Sequence, residues 1–132
     1  GKNTQPGYER TDLDTLLRES DIVSVHAPLT DATRGLMKRE AFEKMKPTAV
    51  FLNVGRGPIV VEKDLAEALK CGQIAAAGLD VLSAEPMREG NPLREIKDSN
   101  RLFITPHIAW ASVEARTGLM DIVLHQIREF FE

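Results

Sequence analysis

Cysteine is almost missing from these 132 residues. With Cys71 alone, an intrachain disulfide is impossible, and a cytoplasmic setting is expected. Cys71 ends a helical pattern beside Gly72 with no neighbouring histidine in sequence, so it is expected to be half-buried and structural. No apolar run approaches the roughly 20 residues that cross a bilayer, so no membrane partner is expected. No signal-peptide pattern opens the chain, since Gly1-Lys2-Asn3-Thr4-Gln5-Pro6 is polar and turn-forming. An initiator Met is also missing, which predicts an internal piece of a longer chain. A basic excess is lacking: the net charge is −3 and the Lys and Arg residues are scattered among acids, so no nucleic-acid partner is expected. The three histidines, His26, His107 and His125, lack metal-ligand spacing, and His125 falls mid-helix; no metal site is expected.

What is present suits one soluble globular domain: 42% hydrophobic and 28% charged residues. The pattern alternates helix and strand. Helices are predicted over Asp12–Glu19, Lys38–Met45 (stopped by Pro47), Glu62–Leu69 (stopped by Gly72) and Ser112–Phe131. The last carries an apolar stripe of Val113, Leu119, Ile122, Val123, Ile127 and Phe130. Strands are predicted over Ile22–His26, Ala49–Val54, Ile74–Val81 and Leu102–Thr105, with a long polar loop over Ser83–Asn100. Ala49–Val54 is nearly all apolar, the mark of a strand buried on both faces of a parallel sheet. The alternation predicts an α/β fold with a parallel sheet.

Ionisable residues gather just after strands, where an open α/β sheet builds its sites. His26-Ala27-Pro28 follows the first strand and Asn53-Val54-Gly55-Arg56-Gly57 the second; Asp80 ends the third, with Glu85 five residues on, and His107 follows the fourth. Arg56 sits between two glycines, where the backbone turns sharply and a planar guanidinium suits capture of a carboxylate. Taken singly, it reads equally as a helix C-terminal cap or a partner of Asp80. An imidazole, as at His107, is the side chain suited to exchanging protons with a substrate at neutral pH, although a lone histidine there is more often structural. Glu85 in isolation reads as a solvated surface acid, and Asp80 as a buried carboxylate in need of partners. Four strand ends bearing such residues predict a cleft.

Four segments in order carry a resemblance: His26-Ala27-Pro28-Leu29-Thr30, Asn53-Val54-Gly55-Arg56-Gly57-Pro58-Ile59-Val60, Ala77-Gly78-Leu79-Asp80-Val81 through Glu85-Pro86, and Thr105-Pro106-His107-Ile108-Ala109. Together they resemble the D-isomer-specific 2-hydroxyacid dehydrogenase family, over about Tyr8 to Phe131. The resemblance implies a Rossmann-like doubly wound sheet and hydride exchange between NAD or NADP and a small 2-oxo or 2-hydroxy acid. It implies Arg56, Glu85 and His107 as the catalytic residues. Arg56 would hold the substrate carboxylate, His107 would exchange the carbonyl proton, and Glu85 would fix the imidazole. Asp80 would bind the nicotinamide carboxamide with the backbone around Val54, Gly55, Arg56 and Ala109, while Ala27, Pro28 and Thr33 would line the cofactor pocket. The parent is expected to be a homodimer.

The family's glycine-rich phosphate loop, G-x-G-x-x-G, is absent, and so are the ribose-reading residue and the substrate domain. The chain is therefore expected to be the C-terminal part of the NAD(P)-binding domain, strands 3 to 6 of the order 3-2-1-4-5-6 plus a long helix. That numbering leaves a two-strand gap between Ile22–His26 and Ala49–Val54. One of three outcomes is expected: missing strands supplied from elsewhere, direct pairing of those two segments, or an unstable fragment. Thr105 to Ser112, with Trp110, most resembles glycerate dehydrogenases, also called hydroxypyruvate reductases. Phosphoglycerate dehydrogenases and corepressors of the C-terminal-binding-protein type are the alternatives, as is a fragment inert by itself.

Overall fold

The computed structural model describes residues 9–131; residues 1–8, among them Tyr8 and the opening Gly1–Pro6, and Glu132 lie outside the described residues. Four parallel strands form one sheet in the order β1-β2-β3-β4: β1 Ile22–Val25, β2 Val50–Asn53, β3 Ala76–Leu79 and β4 Leu102–Ile104. Four helices accompany them: α1 Leu13–Glu19, α2 Arg39–Phe42, α3 Glu62–Cys71 and α4 Val113–Phe131. The α/β parallel arrangement is the one expected.

Local chemistry sets most boundaries. Asp12 caps α1 by accepting from Thr15 N at 2.9 Å and from Thr15 Oγ1 at 2.8 Å. These bonds also hold its carboxyl below the usual aspartate range. Gly72 ends α3 in the left-handed conformation, φ 76°, which a residue without Cβ adopts freely. The second helix is shorter than its predicted Lys38–Met45 span. After Phe42 the bonds tighten to Lys44 N→Ala41 O and Met45 N→Phe42 O, three-residue turns that unwind the helix ahead of Pro47. Its first turn is capped from α3, where Asp64 Oδ2 accepts from Arg39 N at 2.9 Å. Cys71 is exposed rather than half-buried, its Sγ 3.7 Å from Ala68 O at the end of α3.

β1 pairs β2 residue for residue, Ile22 opposite Val50 and Val25 opposite Asn53. Direct pairing is thus the observed outcome, and the two-strand gap disappears. In the order 3-2-1-4-5-6 strands 3 and 4 are the one consecutive pair held apart. A strand that pairs directly with its successor here therefore cannot be strand 3 followed by strand 4; continuing the run 4-5-6 outward accommodates all four. The numbering is corrected accordingly: β1 takes the fourth place, β2 and β3 the fifth and sixth, and β4 the place beyond.

One sheet face is sealed. Val23, Phe51 and Ala77 share one row and Val25, Asn53 and Leu79 the next, all buried beneath the helices with Phe42, Leu65, Leu69 and Ile59. The expectation that Ala49–Val54 is buried on both faces is corrected: Val50 and Leu52 on the other face are only half-buried, and Ile22 and Phe103 beside them are exposed. α4 follows its predicted span, but no residue of it is buried, so its apolar stripe meets nothing among the described residues.

Phe51 has no exposed surface and meets Phe42 edge to face, ring centroids 5.4 Å apart. Phe51→Ala should destabilise the fold by about 3–5 kcal/mol through lost burial and the cavity left behind. Urea unfolding followed by circular dichroism measures this; a midpoint unchanged from wild type would contradict the packing described.

Candidate active site

Because all four strands run the same way, their C-terminal ends share one sheet edge, and every candidate residue lies on a loop leaving it. At the end of β2 the buried Asn53 shapes the turn: its Oδ1 accepts from Gly55 N at 3.1 Å and its Nδ2 donates to Arg56 O at 3.0 Å. Gly55 lies so close to β1 that an added Cβ would sit 3.0 Å from Ala27 O. Arg56 follows exposed, its Nη1 donating to Gly55 O at 2.8 Å. No carboxylate pairs with it among the described residues, which removes the Asp80 partnership as a reading of this side chain.

Ala27, Pro28, Val54, Gly55 and Arg56 line one cleft of about 420 Å³ between the ends of β1 and β2. Five of the eight expected cofactor-side residues are thereby brought together. Thr33 is not among the cleft's walls. Its Oγ1 accepts from Thr30 N at 2.8 Å and donates to Pro28 O at 2.7 Å, which folds the 28–33 loop that carries Pro28.

Asp80, Glu85 and His107 line a second cavity of about 350 Å³ at the ends of β3 and β4. Glu85 is no free surface acid: Oε1 accepts from Leu82 N at 2.8 Å and Oε2 lies 2.9 Å from His107 Nδ1. Those two bonds, the Leu82 amide first and His107 second, hold its carboxyl below the usual glutamate range. With Nδ1 engaged, Nε2 is the ring atom left for a ligand.

His107 has φ 57°, a left-handed conformation that a non-glycine residue adopts at a cost of about 1–3 kcal/mol. Asp80 supplies what holds it. Oδ1 accepts from Thr105 Oγ1 and, at 2.8 Å, from Ile108 N; Oδ2 accepts from Ala109 N at 2.9 Å. Burial pushes the Asp80 carboxyl up, but the bonds from Thr105, Ala109 and Ile108 outweigh it and bring the carboxyl below the usual range. Three of a carboxylate's roughly four acceptor sites are therefore spent inside the protein. Asp80 holds the His107 loop, and Ala109 is one of its anchors.

Sequence reasoning passed over Asn53, Thr105 and the Leu82 amide. Asn53 had a signal, a polar residue ending an apolar strand, which must find partners if buried. Backbone amides such as that of Leu82 leave none.

Residues 2–109 match the family model described as D-isomer specific 2-hydroxyacid dehydrogenase, NAD binding domain. The chain is 46% identical over 121 residues to a hydroxypyruvate reductase of Blautia hydrogenotrophica, covering 92% of this chain and 37% of that protein. An acyclic imino acid reductase solved with NADPH and D-Arg superposes with TM-score 0.86 at 32% identity, covering 98% of this chain and 40% of the other. A D-isomer specific 2-hydroxyacid dehydrogenase of Lactobacillus delbrueckii ssp. bulgaricus in its NAD-complexed form gives TM-score 0.74 at 31% identity, over 88% of this chain and 38% of the other. The chain belongs to the D-isomer specific 2-hydroxyacid dehydrogenase family. It spans about two fifths of the length of these relatives. Superposition over nearly the whole chain means that the direct β1–β2 pairing is also that of a longer protein, not a rearrangement of this one.

The site carries a pH dependence of known sign. Asp80 and Glu85 both have depressed carboxyl values, so their hold on the 105–109 loop is complete above the ordinary 3.8 and 4.5 and is lost as pH falls through the lower folded values. Trp110, the chain's single tryptophan, adjoins that loop and reports on it. In an acid titration its emission should change with a midpoint below pH 3.8, the ordinary aspartate value. Asp80→Asn should show the released emission already at neutral pH. A wild-type midpoint at or above pH 4.5, the ordinary glutamate value, would contradict this arrangement.

Proposed function

We propose that this chain is the nicotinamide-side part of an NAD(P)H-dependent reductase of small 2-oxo acids, with hydroxypyruvate or glyoxylate as substrate. The observation that carries the proposal is the Glu85 Oε2–His107 Nδ1 contact of 2.9 Å on the same sheet edge as an Arg56 without a carboxylate partner. The name of the Blautia relative supports the substrate class.

The residues present fit the nicotinamide end of the cofactor. The 420 Å³ cleft has the bare Gly55 backbone as one wall, where a Cβ would crowd Ala27 O. One acceptor site remains on the Asp80 carboxylate for a carboxamide. A phosphate cradle is not part of this sequence, which has no G-x-G-x-x-G. The chemistry that a reduced nicotinamide bound there would supply is hydride for the substrate's carbonyl carbon.

This chain's residues do the rest. Arg56 holds the substrate carboxylate through two parallel N–H donors and orients the adjacent carbonyl. His107, doubly protonated, gives the Nε2 proton to the carbonyl oxygen as it gains charge, so the product is a hydroxyl and the ring is left neutral. Glu85 accepts from Nδ1–H throughout, which fixes the ring's orientation and leaves Nε2 to face the substrate. In the oxidative direction the neutral Nε2 takes the hydroxyl proton back.

In the full-length enzyme, Arg56→Lys should lower kcat/KM for hydroxypyruvate roughly 30- to 150-fold, since a lost charged hydrogen bond is worth about 2–3 kcal/mol. Steady-state kinetics within threefold of wild type would remove the assignment. Calorimetric titration of NADH into this chain by itself should give no micromolar binding, because no phosphate cradle accompanies the cleft. Micromolar affinity would show that the cofactor is held otherwise.

A further inference from the structure

We propose that Gly57 is a positioning residue: its bare Cα, seated on the Leu82–Ser83 peptide, sets the separation between the Arg56 turn and the Glu85–His107 pair. The proposal rests on the reaction assigned above.

Gly57 is buried, and a Cβ built on it would lie 2.0 Å from both Leu82 C and Leu82 O and 2.4 Å from Ser83 N. Ordinary van der Waals contact begins at 3.4 Å, so any side chain must drive the two segments more than an ångström apart. Conformation is not the reason for glycine here: the positive-φ glycines are Gly35 and Gly72. What the site needs is closeness.

Neither side of the joint can yield freely. The Leu82–Ser83 peptide is clamped by two carboxylates: Ser83 N donates to Glu62 Oε1 at 2.7 Å and Leu82 N to Glu85 Oε1 at 2.8 Å. Glu62 also takes Asn91 Nδ2 at 2.8 Å and opens α3, whose Leu65, Ala66 and Leu69 are fully buried. On the other side, Asn53 grips Arg56 O, Val60 N donates to Gly57 O at 3.0 Å, and Ile59 has no exposed surface. Two rigid loops therefore meet at one contact. Arg56 precedes it directly on one loop, and the amide that holds Glu85 belongs to the other.

A 2-oxo acid has its carboxylate and carbonyl on adjacent carbons, so Arg56 and His107 must be held at a separation that the substrate dictates. A misplacement of about 1 Å in such a constellation costs on the order of 100-fold in rate.

Gly57→Ala in the full-length enzyme tests this. Expected are a fall of roughly 100-fold in kcat, a larger kinetic isotope effect with NADH deuterated at the transferred position, and faster hydrogen exchange at the Leu82 amide than in wild type, with Leu69 unchanged. A merely structural defect would lower the active fraction without altering the isotope effect. Adding Glu62→Ala frees Ser83, lets the Leu82 peptide retreat, and should restore part of kcat, a non-additive pair. If Gly57→Ala does not fold, Glu62→Ala by itself must speed exchange at Leu82 and lower kcat. Wild-type exchange at Leu82, an unchanged isotope effect or an additive pair would overturn the proposal. Failure of the underlying reaction would show separately, as wild-type turnover by Arg56→Lys, while exchange at Leu82 would still report on the joint.

Discussion

Three donors converge on the Asp80 carboxylate: the Thr105 hydroxyl and the amides of Ile108 and Ala109. The placement of His107 at this edge of the sheet depends on them. They bracket His107 from both sides, and without them a histidine at φ 57° would relax towards the broad allowed regions. Glu85 can then meet Nδ1 only because the backbone presents the ring at one place. A buried carboxylate is costly without partners, and here the partners are supplied by the loop it stabilises. The same three hydrogen bonds thus offset both the strain at His107 and the burial of Asp80.

Much of this was legible in the sequence, and the reasons differ residue by residue. Strand ends announced themselves through apolar runs closed by Pro28, Gly55 and Pro106, and a parallel sheet puts such ends on one edge. That was enough to group Arg56, Asp80, Glu85 and His107. The role of Asp80 was less legible, because three of its acceptor sites are taken by its own chain, two of them by backbone amides that any residue could supply. Thr33 likewise folds a loop rather than lining the cleft. Gly57 stood in plain view within Gly55-Arg56-Gly57, yet the peptide it touches lies 25 residues on, and closeness of that kind has no sequence period.

Strand order was misread for a topological reason. Helix and strand periodicities say what each segment is, not which neighbour it chooses, and a doubly wound order places consecutive strands apart once, at the crossover. The chain lies wholly on one side of that crossover, so β1 to β4 are simple neighbours. The same fact explains the surfaces left open. A doubly wound sheet carries helices on both faces, whereas Ile22, Val50, Leu52 and Phe103 line a face that no described helix covers. α4 presents Leu119, Val123, Ile127 and Phe130 to solvent in the same way, as expected of an amphipathic helix whose partner is not among these residues.

Charge placement follows from the same economy of acceptors. The chain carries a net charge of −3, which would repel an anionic substrate if its acids faced the cleft. At the sheet edge the acids direct their oxygens to donors of the chain itself. Asp80 turns both oxygens inward, Glu85 spends one on Leu82 and one on His107, and Glu62 spends its pair on Ser83 and Asn91. The charge left at the edge without a partner among the described residues is the guanidinium of Arg56. An anion approaching the strand ends therefore meets a cation without a partner among the described residues, while the ionised carboxylates beside it aim their oxygens at donors of their own chain. Structure and recognition draw on the same few bonds, so a substitution at Asp80, which both holds the His107 loop and lines the cavity beside it, acts on both.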